Sequence, residues 1–183
     1  VISHTGATSM GTDWKKYDHI DHEHENVVEI YQGARVSYEG AGAPQPTVGL
    51  LPKTSLNSLG RVQNSPPGPI EDFGQYANGT YQTALSHGHN LGVFASSDHI
   101  SQHASYGGVF CKDFTREGII EAFDNRRTIA ATDKIYLNFT CNDKPLGSIF
   151  ETKENARLWF KVDGTATFKR ITIVRNEKDW KEF

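Results

Sequence analysis

Four side chains of metal-ligand type, His4, Glu29, Asp98 and His99, stand in or directly after short apolar runs of this 183-residue chain. The richest stretch is Gly92-Val93-Phe94-Ala95-Ser96-Ser97-Asp98-His99, with His103 four residues further on. An apolar run of strand length stops there at small polar residues, then presents a carboxylate beside an imidazole. A buried strand that ends this way can deliver ligands to a metal or groups to a reaction. The same letters also suit an ordinary strand followed by a polar turn, with Asp98 as the cap. His4 follows the apolar Val1-Ile2. Glu29 sits inside the β-branched run Val27-Val28-Glu29-Ile30-Tyr31, where a carboxylate is costly to bury unless it is paired or bound to a metal. Imidazole and carboxylate together suit Zn, Mn or Fe, and such a centre generates a metal-bound hydroxide near neutral pH. Singly, each residue also has a structural reading: a hydrogen-bonded His, a salt-bridged Glu, a turn Asp. Their shared placement makes a divalent-metal centre the sharper expectation. Arg35, close behind the Glu29 run, is the anion-binding candidate beside it.

The other histidines and basic residues point elsewhere. His19, His22 and His24 lie in Asp18-His19-Ile20-Asp21-His22-Glu23-His24-Glu25, a charged run that reads as a solvated connector before a strand, with a metal-binding loop as the rival. His87 and His89 flank Gly88 at an expected helix end, which favours capping over ligation. Arg126-Arg127 close an expected helix, where the dipole favours basic residues without any ligand. No Ser-His-Asp or Cys-His arrangement stands out, and the glycines follow no phosphate-loop or dinucleotide pattern.

These groups need elements to hold them. Val27–Tyr31 and Val93–Ala95 read as strands, and Gly108–Cys111 is strand-like. The 40–74 stretch is rich in Gly, Pro, Ser and Asn without periodicity, and reads as a long loop. Residues 75–86 suit a helix that sets Tyr81, Ala84 and Leu85 against the body, with His87-Gly88 as its C-cap. Thr115 is the N-cap of a second helix carrying Ile119, Ile120 and Phe123 on one face, ending near Asn125. From Ile135 the period becomes two, giving strands over 135–139, 157–162 and 169–174, with turns at 142–145 and 163–164. The chain therefore divides near residue 130 into an α/β part and a small all-β part.

Composition narrows the partners. The 22 acidic residues against 19 Lys and Arg leave a formal charge of −3, too balanced to argue for nucleic acid or a membrane surface. No apolar run approaches the roughly 20 residues that span a bilayer. Cys111 and Cys141 lack a CxxC partner and read as two thiols or one disulfide. The Asn78 and Asn138 sequons carry weight only in a secretory eukaryotic setting. Periplasmic, secreted and cytoplasmic locations all suit this composition. Val1-Ile2-Ser3-His4 reads like a strand already in progress, and the expectation is a piece of a longer protein.

With the segments laid out, the order His4, Glu29, Asp98-His99 resembles the later part of a PHP (polymerase and histidinol phosphatase) metallohydrolase. Met10-Gly11-Thr12-Asp13-Trp14, 28–35, 91–99 and Arg126-Arg127-Thr128 are similar to a bacterial PHP-like family. The resemblance implies a distorted (β/α)7 barrel with two or three metal ions that hydrolyses phosphoesters or related bonds. Carried over by position, His4 matches a His ligand from a middle strand and Asp98 the Asp of a late Asp-x-His motif. Two departures stand out. No HxH motif precedes His4, and His99 is adjacent to Asp98 instead of two residues on, so His99 or His103 would take that role.

The resulting expectation is α/β in class: the C-terminal half of a PHP-type barrel over 1–130, then a small antiparallel, sandwich-like β domain over 131–183. Its chemistry would be metal-dependent hydrolysis of a phosphoester or ester-like bond in a small-molecule substrate. His4, Glu29, Asp98 and His99 or His103 would hold metal, and Arg35 would steady developing negative charge. The chain would need the N-terminal half of its parent or self-association to complete its sheet. The rival is a non-enzymatic binding or structural module, with Trp159 and Trp180 on its surface.

Overall fold

The computed structural model describes residues 1–4, 12–16, 21, 23–32, 35–36, 55–56, 62–63, 77–97 and 105–183. The β-branched run forms the central strand β2 (Val27–Gln32), flanked in parallel by β1 (Ile2–Ser3) on one side and by a second strand, Gly92–Ser96, on the other. The short β3 (Arg35–Val36) turns back antiparallel on the end of β2, with Gln32 opposite Arg35. Within the 40–74 stretch that reads as a loop, β4 (Ser55–Leu56) and β5 (Val62–Gln63) form an antiparallel pair. Gly92–Ser96 is therefore β6.

The two faces of β2 follow from strand alternation. Val28 packs with Trp14, Ala84 and Leu91, and Ile30 and Tyr81 close around them. Ala84 and Tyr81 come from α1 (Tyr81–Ser86), which a 3-10 turn over Ala77–Gly79 precedes. Thr80 caps α1 by accepting from the Thr83 amide. His87 is its C-cap, and Gly88 follows at φ +83°, a left-handed position that glycine adopts without steric penalty. Trp14 ties this face together: it is 2% exposed, and its indole Nε1 donates to Gly79 O over 3.1 Å. Tyr81 Oη donates to Leu91 O over 2.8 Å, and burial pushes its phenol up to about 12.

Val27 and Glu29 share the opposite face. Phe94, in register with Glu29, meets Phe123 of α2 (Arg116–Asp124) at 5.3 Å between ring centroids. Thr115 caps α2 by accepting from the Gly118 amide. On either side of α2 lie β7 (Tyr106–Val109) and β8 (Thr128–Ala131), which pair antiparallel from Tyr106–Ala131 to Val109–Thr128. Gly107 lies against the Phe94 ring so closely that a Cβ would sit 2.1 Å from it.

The remaining strands are β9 (Tyr136–Cys141), β10 (Lys144–Pro145), β11 (Leu158–Asp163), β12 (Thr172–Arg175) and β13 (Lys178–Glu182). They make an antiparallel sheet in the order β10-β9-β11 and a separate β12-β13 hairpin. Asn142-Asp143 and Asn176-Glu177 both adopt positive φ at successive positions, the geometry of a two-residue hairpin turn. Along β11, half-buried Leu158, Phe160 and Val162 alternate with exposed Trp159, Lys161 and Asp163. No side chain from 131 onward is fully buried.

This architecture overturns the expected half-barrel. Among the described residues most pairing is antiparallel, in small sheets, and no barrel closes. The physical reason lies in the connections. A βα barrel repeats strand, helix, parallel strand, and each such crossover needs about a dozen residues or more, usually helical. Here α2 joins β7 to β8, which are antiparallel partners, so it builds no βαβ unit. Among the described strands, only β1, β2 and β6 run parallel, and β3 is antiparallel to β2. No helix of the described residues is long and apolar enough to cross a membrane.

Candidate functional site at the ends of the parallel strands

The β1–β2 register pairs Ile2 with Val27 and Ser3 with Val28, so the next residues outward are His4 and Glu29. Parallel strands in register bring such neighbours onto one face. His4 Nδ1 and Glu29 Oε2 lie 2.7 Å apart, although 25 residues separate them in sequence. The Glu29 side chain is 8% exposed and the His4 side chain 52%. The second carboxylate oxygen is also engaged, because Ser96 Oγ, at the end of β6, donates to Glu29 Oε1. Glu29 thus sits between an imidazole on one flank and a hydroxyl on the other, which answers the cost of burying a carboxylate in a strand.

The serines at the end of β6 tie down the chain there. Ser97 Oγ donates to Ser105 O over 3.1 Å, and Ser105 Oγ donates to Ser96 O. Ser97 and Ser105, the described residues that flank the segment 98–104, are thus tied to one another and to Ser96, whose hydroxyl meets the Glu29 carboxylate. Asp98, His99 and His103 belong to that segment and lie outside the described residues. Arg35 is in β3, next to the end of β2, and its side chain is likewise outside what is described. Of the expected ligands, then, His4 and Glu29 come together. The part of Ser96 and Ser105 is not evident from residue type, since serines after a strand mark a turn as readily as a hydroxyl bridge.

Most of the other described residues weighed in the sequence have polar partners of their own. Asp21, Glu23 and His24 place ligand atoms within 4.8 Å of one another, all three exposed. Asp21 Oδ2 and His24 Nδ1 are 2.7 Å apart, and this bond lifts His24 above its ordinary range and holds Asp21 below its own. His19 and His22 lie outside the described residues. His87 Nδ1 lies 3.0 Å from Thr83 O at the end of α1, a capping contact. The His89 ring lies tilted at 51° against Trp14, 5.5 Å between centroids, with Nε2 3.4 Å from Trp14 O. Arg126 Nη1 donates to Asn26 Oδ1 and its Nε to Gly147 O, while Arg127 pairs with Glu121 at 3.1 Å. Cys111 and Cys141 are both free thiols.

The chain is 30% identical over 186 aligned positions to an uncharacterized protein of Chlamydia trachomatis serovar D, covering 97% of itself and 28% of that protein. Uncharacterized proteins of Chlamydia muridarum, at 28% identity, and Chlamydia pneumoniae, at 27%, each match 96% of the chain and 28% of their own length. The chain thus spans little more than a quarter of the length of these curated relatives. No protein-family model matches it, and no solved structure does.

Proposed function

We propose that the ends of β1, β2 and β6 form part of a metal-dependent hydrolytic site acting on a phosphoester or ester-like bond of a small-molecule substrate. The observation that carries this reading is the His4–Glu29 pair, an imidazole and a buried carboxylate joined at 2.7 Å at the ends of adjoining parallel strands. Imidazole and carboxylate are donors that Zn, Mn and Fe all accept. Two such groups are part of a ligand set, and Asp98 with His99 or His103 would complete it from the sequence directly after Ser96-Ser97. A divalent ion there would supply a hydroxide nucleophile at neutral pH. Arg35, in β3 beside the end of β2, is the cation that would steady the negative charge developing on the attacked group. The test is hydrolysis of aryl phosphates and aryl esters by the purified chain loaded with Zn, Mn or Fe. Turnover that chelator abolishes and His4→Ala removes supports the proposal; turnover indifferent to both contradicts it.

A second reading has its own observation. Trp159 is 52% exposed, Trp180 45% and Phe183 61%, in a region without one fully buried side chain. Apolar surface of this kind marks contact with another protein or another part of a longer chain. On that reading the β9–β13 region is a binding module. It would keep its partner in chelator, which a metal-assembled site would not.

A further inference from the structure

On the face of the parallel sheet that α1 covers, the helix and the β12–β13 hairpin enclose a cleft of about 690 Å³. That volume lies in the range that holds a small organic molecule. Its walls are apolar: Ile30 from β2, the Tyr81 ring and Leu85 from α1, and Val174 from β12. Leu85 is 44% exposed and Val174 51%, so apolar surface is open on both the helix side and the hairpin side. Gln82 Nε2 donates to Glu177 O over 3.1 Å and ties the helix to the hairpin turn.

The polar groups of the lining dictate what an occupant must bring. Tyr81 Oη spends its hydrogen on Leu91 O, and Ser86 Oγ spends its own on Thr83 O. The Gln82 amide nitrogen is engaged at Glu177 O. What these side chains still offer is mainly acceptor capacity, and Asn176 adds an amide that can donate or accept. Among the described residues that line the cleft, Glu177 is the one with a charged side chain, and none is Lys, Arg or His. Arg175, next in sequence, lies over the Trp180 ring, 5.7 Å from its centroid. An anionic head would therefore meet a carboxylate and no cation. A protonated amine would donate to acceptors and meet an opposite charge.

We propose that this cleft binds a small amphipathic cation, its aliphatic chain between Ile30, Leu85 and Val174 and its ammonium head at Glu177. The site lies on the other face of β2 from Glu29 and needs neither His4 nor a metal.

The experiment is methyl NMR on the full chain, titrated at neutral pH with octylamine, octanol or octanoate, each kept below the concentration at which it forms micelles. Octylamine should shift the Ile30, Leu85 and Val174 methyls saturably, and octanoate should bind about tenfold more weakly. Glu177→Gln keeps the main-chain carbonyl that Gln82 bonds and removes the charge. It should weaken octylamine about 2–5-fold, toward the octanol value, and leave octanol binding unchanged. No saturable shift of these methyls with any of the three molecules overturns the site. Octanoate binding as tightly as octylamine, or octylamine binding unchanged in Glu177→Gln, overturns the assignment of a cationic ligand.

Discussion

Tyr81 and Leu91 close the turn between α1 and β6: the buried phenol donates to the Leu91 carbonyl over 2.8 Å, and Leu91 itself packs in the Trp14 core. This bond joins the helix on one face of the parallel sheet to the strand whose far end carries Ser96. It also makes the phenol a reporter of folding. Burial raises its ionisation from 10.0 to about 12, so the folded protein keeps the proton over a pH range in which the unfolded chain loses it. Stability tied to Tyr81 is fully present below pH 10 and is lost as pH rises toward 12, about 3 kcal/mol at most. Urea denaturation at several pH values should show this decline in the wild type and its absence in Tyr81→Phe. Below pH 10 the Phe variant should be less stable by roughly 1–2 kcal/mol for the lost hydrogen bond. A parallel decline in both proteins would contradict the assignment.

Trp14 makes a second prediction about the same core. It is buried, bonds Gly79 O through its indole, and accepts its place from residues distant in sequence. Trp14→Ala should cost about 3–5 kcal/mol in chemical denaturation, as expected for a large aromatic in a packed core. Trp14→Phe should retain most of that stability. Equal losses for the two would mean that the indole hydrogen bond, and not the packing, matters most.

Gly107 tests the opposite face. A methyl group there would meet the Phe94 ring, and Phe94 is in turn held against Phe123 of α2. Gly107→Ala should destabilise by about 1–3 kcal/mol through overpacking. Combining it with Phe94→Leu should recover part of the loss, because the obstructing ring is gone. Simple additivity of the two changes would argue that the ring and the glycine do not touch.

The exposed Asp21–His24 pair has a definite pH signature. The hydrogen bond raises the His24 midpoint and lowers that of Asp21. What His24 contributes is present at low pH and fades as pH rises through its raised midpoint. What Asp21 contributes is present at higher pH and fades as pH falls through its lowered one. The pair is therefore whole only in the window between them. Asp21→Asn should bring the His24 midpoint down in an NMR titration; an unchanged midpoint would show that the pair does not form.

Much of this structure is legible in residue type. Val27-Val28 and Val93-Phe94 announce β2 and β6, and Thr115 with the spacing of Ile119, Ile120 and Phe123 marks α2. The alternation read over 157–162 appears in β11, one residue further on at each end. Other elements are not legible, for physical reasons. Lys178–Glu182 is exposed throughout and pairs only because the Asn176-Glu177 turn folds it back on β12. Thr128–Ala131 follows the end of α2 so closely that residue type alone marks no separate strand there, yet Arg126 at φ +57° redirects the chain into β8. Global topology is the larger loss. A run such as Val93-Phe94-Ala95 looks the same in a barrel and in a four-stranded sheet, and the resemblance to a barrel family supplied the closure that the strand pairing does not show. Of the candidate site, the contact of Glu29 is legible in part, because a lone Glu in a β-branched strand asks for a partner. Which partner, and that Ser96 would be the other, depends on the register of β1 and β6 against β2.

The proposed function requires that the His4 end of the parallel strands bind a divalent metal. Calorimetric titration of the metal-free chain with zinc tests it most directly, with His4→Ala and His24→Ala as the two variants that separate this site from the exposed Asp21–Glu23–His24 cluster. Stoichiometric binding that His4→Ala abolishes and His24→Ala leaves in place is the expected result. Binding lost in His24→Ala and kept in His4→Ala, or no binding at all, would contradict it.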